Sequence, residues 1–194
     1  MHMPVFDHFG FLAPFYDRLI KPKAPEYLWD LANLPTDGLL LDAGGGTGRV
    51  AQFMTGKAAR VILADLSMEM LAQADGKGML LRVCTHTEGF PFPEASFARV
   101  IMVDALHHVC DQPQTAREIW RILQPGGILV IEEPDLRTFT VKLVALGEKL
   151  ALMRSHFLAP EAIAALFDDS TAQVQIKSDP DGFNAWVIVK KGNG

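Results

Sequence analysis

Residues 38–51 read Gly-Leu-Leu-Leu-Asp-Ala-Gly-Gly-Gly-Thr-Gly-Arg-Val-Ala, and they constrain the fold more than any other stretch. Leu39, Leu40 and Leu41 are apolar in succession, so both faces of a strand there must be covered, as inside a parallel sheet. Asp42 ends the run, and Gly44, Gly45, Gly46 and Gly48 follow at once. Glycines let the main chain turn tightly and let a ligand come close to it. Val50, Ala51, Phe53 and Met54 then suit a helix start. Strand, glycine turn and helix in this order make a nucleotide-binding corner.

The spacing separates the possible nucleotides. Gly44-x-Gly46-x-Gly48 lacks the last glycine of the dinucleotide pattern G-x-G-x-x-G, because position 49 is Arg49. The P-loop lysine is absent too, which argues against a nucleoside triphosphate. Asp42 would repel a pyrophosphate and suit an ammonium group. A nucleoside with a cation and no phosphate fits, and S-adenosylmethionine is such a ligand. Asp42-x-Gly44-x-Gly46-x-Gly48 resembles the first motif of the class I S-adenosylmethionine-dependent methyltransferases. The plainer alternative is a glycine-rich structural turn.

Composition narrows the partners. The chain has 194 residues, 49% of them apolar, which suits one domain with a sizeable core. Eighteen basic and 23 acidic residues give a net charge of −5. That balance argues against non-specific binding to nucleic acid, which needs a basic face. Cys84 and Cys110 cannot make a disulfide framework or a cysteine zinc site, so both are expected as reduced thiols in a cytoplasmic protein. Asp7 interrupts the N-terminal stretch where a signal peptide would be apolar, and no run reaches membrane-spanning length. Nothing in the sequence signals an oligomeric state.

A second apolar run, Arg60 to Asp65, also ends in a carboxylate. Asp65 follows the glycines by about twenty residues, the distance at which an acidic side chain meets ribose hydroxyls. Ser67 caps a helix expected over Met68–Ala74, which leaves Asp65 for the ligand, with Leu66 and Met68 packing on the adenine. Further strands are expected at Met79–Cys84, Ala98–Asp104 and Ile128–Ile131, and helices at Pro14–Ile20, Pro25–Leu34, Pro113–Leu123 and Phe139–Met153. A short helix should run to Phe167, and strands at 172–178 and 184–190 should form a terminal hairpin. The result is an α/β fold, with an open and mostly parallel sheet.

Several later segments also resemble this family, especially its quinone-biosynthesis members. Ala13, Tyr16 and Asp17 match an A-x-x-Y-D start; Ala105-Leu106-His107-His108 matches A-L-H-H; Leu123-x-Pro125-Gly126-Gly127 matches L-x-P-G-G. The segment from Thr85 to Phe92 resembles G-D-A-x-x-L-P-F, with His86 where the family has an aspartate near the adenine amino group. A neutral imidazole can accept from an amino group and a protonated one cannot. The resemblance implies a Rossmann-like sheet of seven strands, only the last antiparallel, with helices on both faces and a helical N-terminal lid. Residues 1–35 are expected as the lid, 36–135 as the cofactor-binding core, and 136–194 as C-terminal helices and hairpin of one domain.

The resemblance also implies the site. The glycines, Asp42, Asp65, Leu66, Met68, His86, Thr87 and Asp104 are expected around S-adenosylmethionine. His107 and His108 are candidate catalytic groups, and Tyr16, His107 and Glu133 candidate contacts for a small, partly apolar methyl acceptor. No metal is expected, since no ligand cluster accompanies the histidines. Glu132, Glu133 and Asp135 crowd a strand end, and at least two of them are expected to be solvated. Two rival readings stand beside methyl transfer: a nucleotide-binding oxidoreductase, and a module that binds the cofactor without turnover.

Overall fold

The computed structural model describes residues 25–138, 141–142, 155–179 and 182–193. The expected helices at Pro14–Ile20 and, apart from residues 141–142, Phe139–Met153 lie outside the described residues, as does Tyr16.

Helix α1 (Pro25–Leu31) has proline at its first position and buries Leu28 and Leu31. It stops three residues short of the expected Leu34, where Asn33 turns left-handed at φ 49°. β1 (Leu39–Ala43) follows, then the glycine turn and a single 3₁₀ turn (Ala51–Met54) in place of the expected helix start. β2 (Arg60–Asp65) leads into α2 (Met68–Ala72), where the Ser67 hydroxyl caps the Met70 N–H as expected. β3 (Leu80–Cys84) and β4 (Phe97–Val103) come next. A 3₁₀ turn at Leu106–His108 then leads to α3 (Gln112–Ile122), capped by Asp111. β5 (Leu123–Pro134) runs straight on, followed after the break by α4 (Pro160–Ala164), β6 (Ala172–Ser178) and β7 (Asn184–Lys191).

The strands form one seven-stranded sheet in the order β3-β2-β1-β4-β5-β7-β6. β7 runs antiparallel to both its neighbours and every other pairing is parallel. This is the expected topology. β5 begins five residues earlier than expected. Phe97 pairs with Leu123 and Arg99 with Ile128, so Gln124–Gly127 forms a bulge, with Gly126 at φ 74°.

Both faces of the sheet are covered. Leu41, Met102 and Ile131 pack with Ile119 and Ile122 of α3 on one side. Leu40, Ile101 and Val130 pack with Leu28 and Leu31 of α1 on the other. Alternation along β5 therefore sends consecutive residues to opposite faces. Sheet order reverses at β1, where β2 lies on one side and β4 on the other, and a crevice opens at the carboxyl ends of these strands.

Candidate functional site

The glycine turn sits in that crevice. Gly44 N–H and Gly45 N–H both donate to the Ala64 carbonyl, at 2.8 and 3.1 Å, which ties the turn to β2. Gly44 has φ +70°, and a Cβ there would come within 2.7 Å of the Ala105 Cβ. Only glycine meets both demands. Gly46 N–H donates to Asp65 Oδ2 at 2.9 Å, and Ser67 N–H donates to Asp65 Oδ1 at 2.8 Å. Asp65 is thereby fixed between the glycine turn and the start of α2. Leu66 and Met68 beside it are 58% and 62% exposed and form an apolar shelf.

Asp42 lies beneath this turn and is 1% exposed. Its Oδ2 has no hydrogen-bond partner, and a Cβ on Gly45 would approach that oxygen to 2.6 Å. Burial pushes the carboxyl up to about 7; Asp65 adds to the shift, while Arg49 and the Ala51 N–H oppose it. Arg49, which entered the sequence reading only as a missing glycine, is 8% exposed and places Nη2 3.0 Å from Asp104 Oδ2. Asp104 adopts φ 52° at the end of β4, a conformation that non-glycine residues seldom hold without a local reason. The ion pair supplies one.

His86 does not sit in a closed pocket. Its side chain is 69% exposed, with Nδ1 3.9 Å from Glu88 Oε2. The Thr87 hydroxyl points the other way, 2.9 Å from that of buried Thr115.

The carboxylates at the end of β5 overturn one expectation: none of the three is simply solvated. Glu133 is 4% exposed, and its Oε1 accepts from Ala105 N–H at 3.0 Å and Leu106 N–H at 2.7 Å. Its Oε2 lies 2.5 Å from His107 Nδ1. A carboxylate used by three internal groups braces the 105–108 turn, which removes the reason for listing Glu133 as an acceptor contact. Asp135 is 2% exposed and forks with Arg137, whose hydrogen bond holds the carboxyl below its usual range. Glu132 faces the opposite side of the sheet. It accepts from Asn184 Nδ2 at 2.8 Å and from Trp186 Nε1 at 2.9 Å, and burial raises its pKa. Sequence reasoning saw the crowd of charges. It missed the division of labour, which strand alternation alone predicts.

His107 is 5% exposed and stacks on Phe157 at 4.3 Å between ring centroids. The His108 ring lies 3.9 Å away, and burial, then the neighbouring His107, lowers its pKa to about 3. The ring is therefore neutral near pH 7. Among the described residues no three histidines, cysteines or carboxylates stand together as a metal site. No described helix is long and apolar enough to cross a membrane.

Comparison with known proteins agrees with this geometry. Residues 41–131 match the family model of the methyltransferase domain. A ubiquinone/menaquinone biosynthesis C-methyltransferase, UbiE, from Pseudoalteromonas translucida is 32% identical over 146 residues. Over these residues the chain is similar to the class I methyltransferases. That alignment takes in 66% of this chain and 58% of the relative, so the chain spans little more than half the length of the curated protein it matches. The Bacillus subtilis YcgJ structure has the same fold, at TM-score 0.73 and 16% identity over 88% of this chain and 98% of that one. So has the [4+2]-cyclase SpnF, at TM-score 0.74 and 17% identity over 92% of this chain and 82% of that one. A cyclase on this fold means that the reaction must be argued from the site. The similarity to methyltransferases weighs against the oxidoreductase alternative. The glycine cradle, the Asp65 carboxylate, the apolar shelf at Leu66 and Met68 and the orphaned Asp42 oxygen suit an adenosine that carries a cation.

Proposed function

We propose that this chain binds S-adenosylmethionine and methylates a small, partly apolar acceptor. The observation that carries the reading is the cradle itself: left-handed Gly44 against Ala105, and left-handed Gly46 bonded to the Asp65 carboxylate at the carboxyl end of β2. When bound, the cofactor supplies an electrophilic methyl group on a sulfonium. Gly44, Gly46, Asp65, Leu66 and Met68 hold and orient the adenosine in this reading, and Asp42, Arg49 and Asp104 set the electrostatics at its charged end. His86 and Thr87 border the adenine side. His107 is braced by Glu133 as a wall residue, and His108 stands beside it as a neutral ring. Catalysis then rests on alignment and exclusion of water. Residues 1–35, with Tyr16, serve as the lid of a single domain whose core is 36–135 and whose C-terminal part is 136–194. The Pseudoalteromonas relative is named for C-methylation in quinone biosynthesis, and the partial overlap leaves that acceptor with the relative.

Two exposed, unbonded thiols, Cys84 and Cys110, support a cytoplasmic setting, and the net charge of −5 supports a small-molecule acceptor over nucleic acid. The test is calorimetry with S-adenosylhomocysteine and with NAD. The first should bind and the second should not. Asp65→Ala should weaken the first by about 1–3 kcal/mol, the usual loss for a hydrogen bond to a charged group. Tight NAD binding, or unchanged affinity in the folded variant, would refute the assignment.

A further inference from the structure

The carboxylate of Glu132 has an uneven environment. Both its oxygens are held, and both donors are neutral: the Asn184 amide at 2.8 Å and the Trp186 indole at 2.9 Å. The nearest guanidinium, Arg49, is spent on Asp104 at 3.0 Å. Half-buried negative charge without a bonded cation is costly unless something cationic arrives. A second observation points the same way. Asn184 is 6% exposed, and its Oδ1 has no hydrogen-bond partner. The bond from Nδ2 to Glu132 fixes the orientation of the amide, so the orphan is the acceptor oxygen and it calls for a donor.

The place is suited to a substrate. Asp104 N–H donates to the Glu132 carbonyl at 3.0 Å, so Glu132 stands beside the end of β4 and hence beside the crevice. Trp186 meets Tyr27 of α1 edge to face at 4.8 Å between centroids, and Tyr27 is 39% exposed. An aromatic rim over a carboxylate and a free carbonyl oxygen is the chemistry that takes up an organic ammonium.

We propose that Glu132, Asn184, Trp186 and Tyr27 form an acceptor subsite for a protonated amine attached to an apolar or aromatic body. This rests on the methyltransferase reading and deepens it by naming the substrate class. The ammonium donates to a remaining lone pair of Glu132 and to Asn184 Oδ1, and the apolar body lies along the exposed face of Tyr27, with Trp186, itself 6% exposed, packed behind it.

The experiment is calorimetry on the full chain saturated with S-adenosylhomocysteine, titrated with phenethylamine and separately with 2-phenylethanol. The two probes match in size and differ in charge. The amine should bind at least about tenfold more tightly, the least that one charge-assisted hydrogen bond gives. Glu132→Gln, nearly isosteric and checked for an unchanged melting curve, should cost the amine about tenfold and leave the alcohol within about twofold. The wild-type comparison stands even if the variant does not fold. Equal affinity for the two probes, binding of neither, or an amine preference that survives Glu132→Gln overturns the subsite while leaving S-adenosylhomocysteine binding intact. Failure of S-adenosylhomocysteine itself to bind overturns both readings.

Discussion

Glu132 and Glu133 are neighbours on one strand with the same side chain, and the sheet gives them opposite work. Glu133 turns to the α3 side, is 4% exposed, and is used up by two backbone N–H groups and His107. Glu132 turns to the α1 side, is held by two neutral donors, and keeps its charge unpaired. One is a brace and the other a receptor. The contrast shows that a charged residue at a strand end is read by its face, and by whether its lone pairs are already taken, before it is read by its type.

The comparison can be broken in stability experiments. Glu133→Ala should have the largest effect, about 3–5 kcal/mol lost in urea unfolding, because it leaves buried donors at Ala105, Leu106 and His107 without an acceptor. A loss under about 1 kcal/mol would show that the 105–108 turn is held by something else.

Asp42→Asn should come next. Burial lifts Asp42 to about 7, above the ordinary aspartate value near 4. A carboxyl raised in this way binds its proton more tightly folded than unfolded. Its contribution to stability is full below about pH 4 and is lost as pH rises through about 7, on the order of a few kcal/mol. The variant should therefore gain on wild type between those limits, measured by urea unfolding at steps of pH. Parallel curves would place Asp42 in contact with a partner that keeps it ionised.

His108 titrates in the opposite sense. Its pKa is held down to about 3, so its contribution is full above the ordinary histidine value near 6.5 and is lost as pH falls below it. His108→Gln should change little at pH 8 and should spare the protein about 1–2 kcal/mol of loss at pH 5. Equal acid sensitivity would mean that the ring is open to water. The smallest effect is expected for Glu132→Gln, within about 1 kcal/mol of wild type at neutral pH. The amide retains an acceptor, and the cost of a half-buried charge disappears. A loss as large as that from Glu133→Ala would erase the distinction between the two carboxylates.

Much of this was legible before the fold was seen. The run Leu39–Asp42 with its glycines, and Asp65 at the end of the next apolar run, placed the crevice because the pattern is local and each residue type has a backbone reason to be there. An open, mostly parallel sheet followed from the alternation of strands and helices, and the seven strands with only the last antiparallel from the resemblance to the family. Partners distant in sequence were not legible. Arg49 meets Asp104 across 55 residues, and Glu132 meets Asn184 across 52. No periodicity or motif records such pairs. The bulge at Gln124–Gly127 was missed for a smaller reason: Pro125 and the glycines end a helix and open a bulge equally well.

The strand order has a consequence for synthesis. β7 enters the sheet between β5 and β6, and it carries Asn184 and Trp186 to Glu132. As the chain leaves the ribosome, the glycine turn and Asp65 emerge ahead of β5, β6 and β7. The wall that holds the Glu132 charge does not exist until the last strand has emerged and displaced any neighbour that β6 found on the way. A nascent chain of this protein therefore has its glycine turn before it has the wall around Glu132, and until then it carries a bare edge on β5.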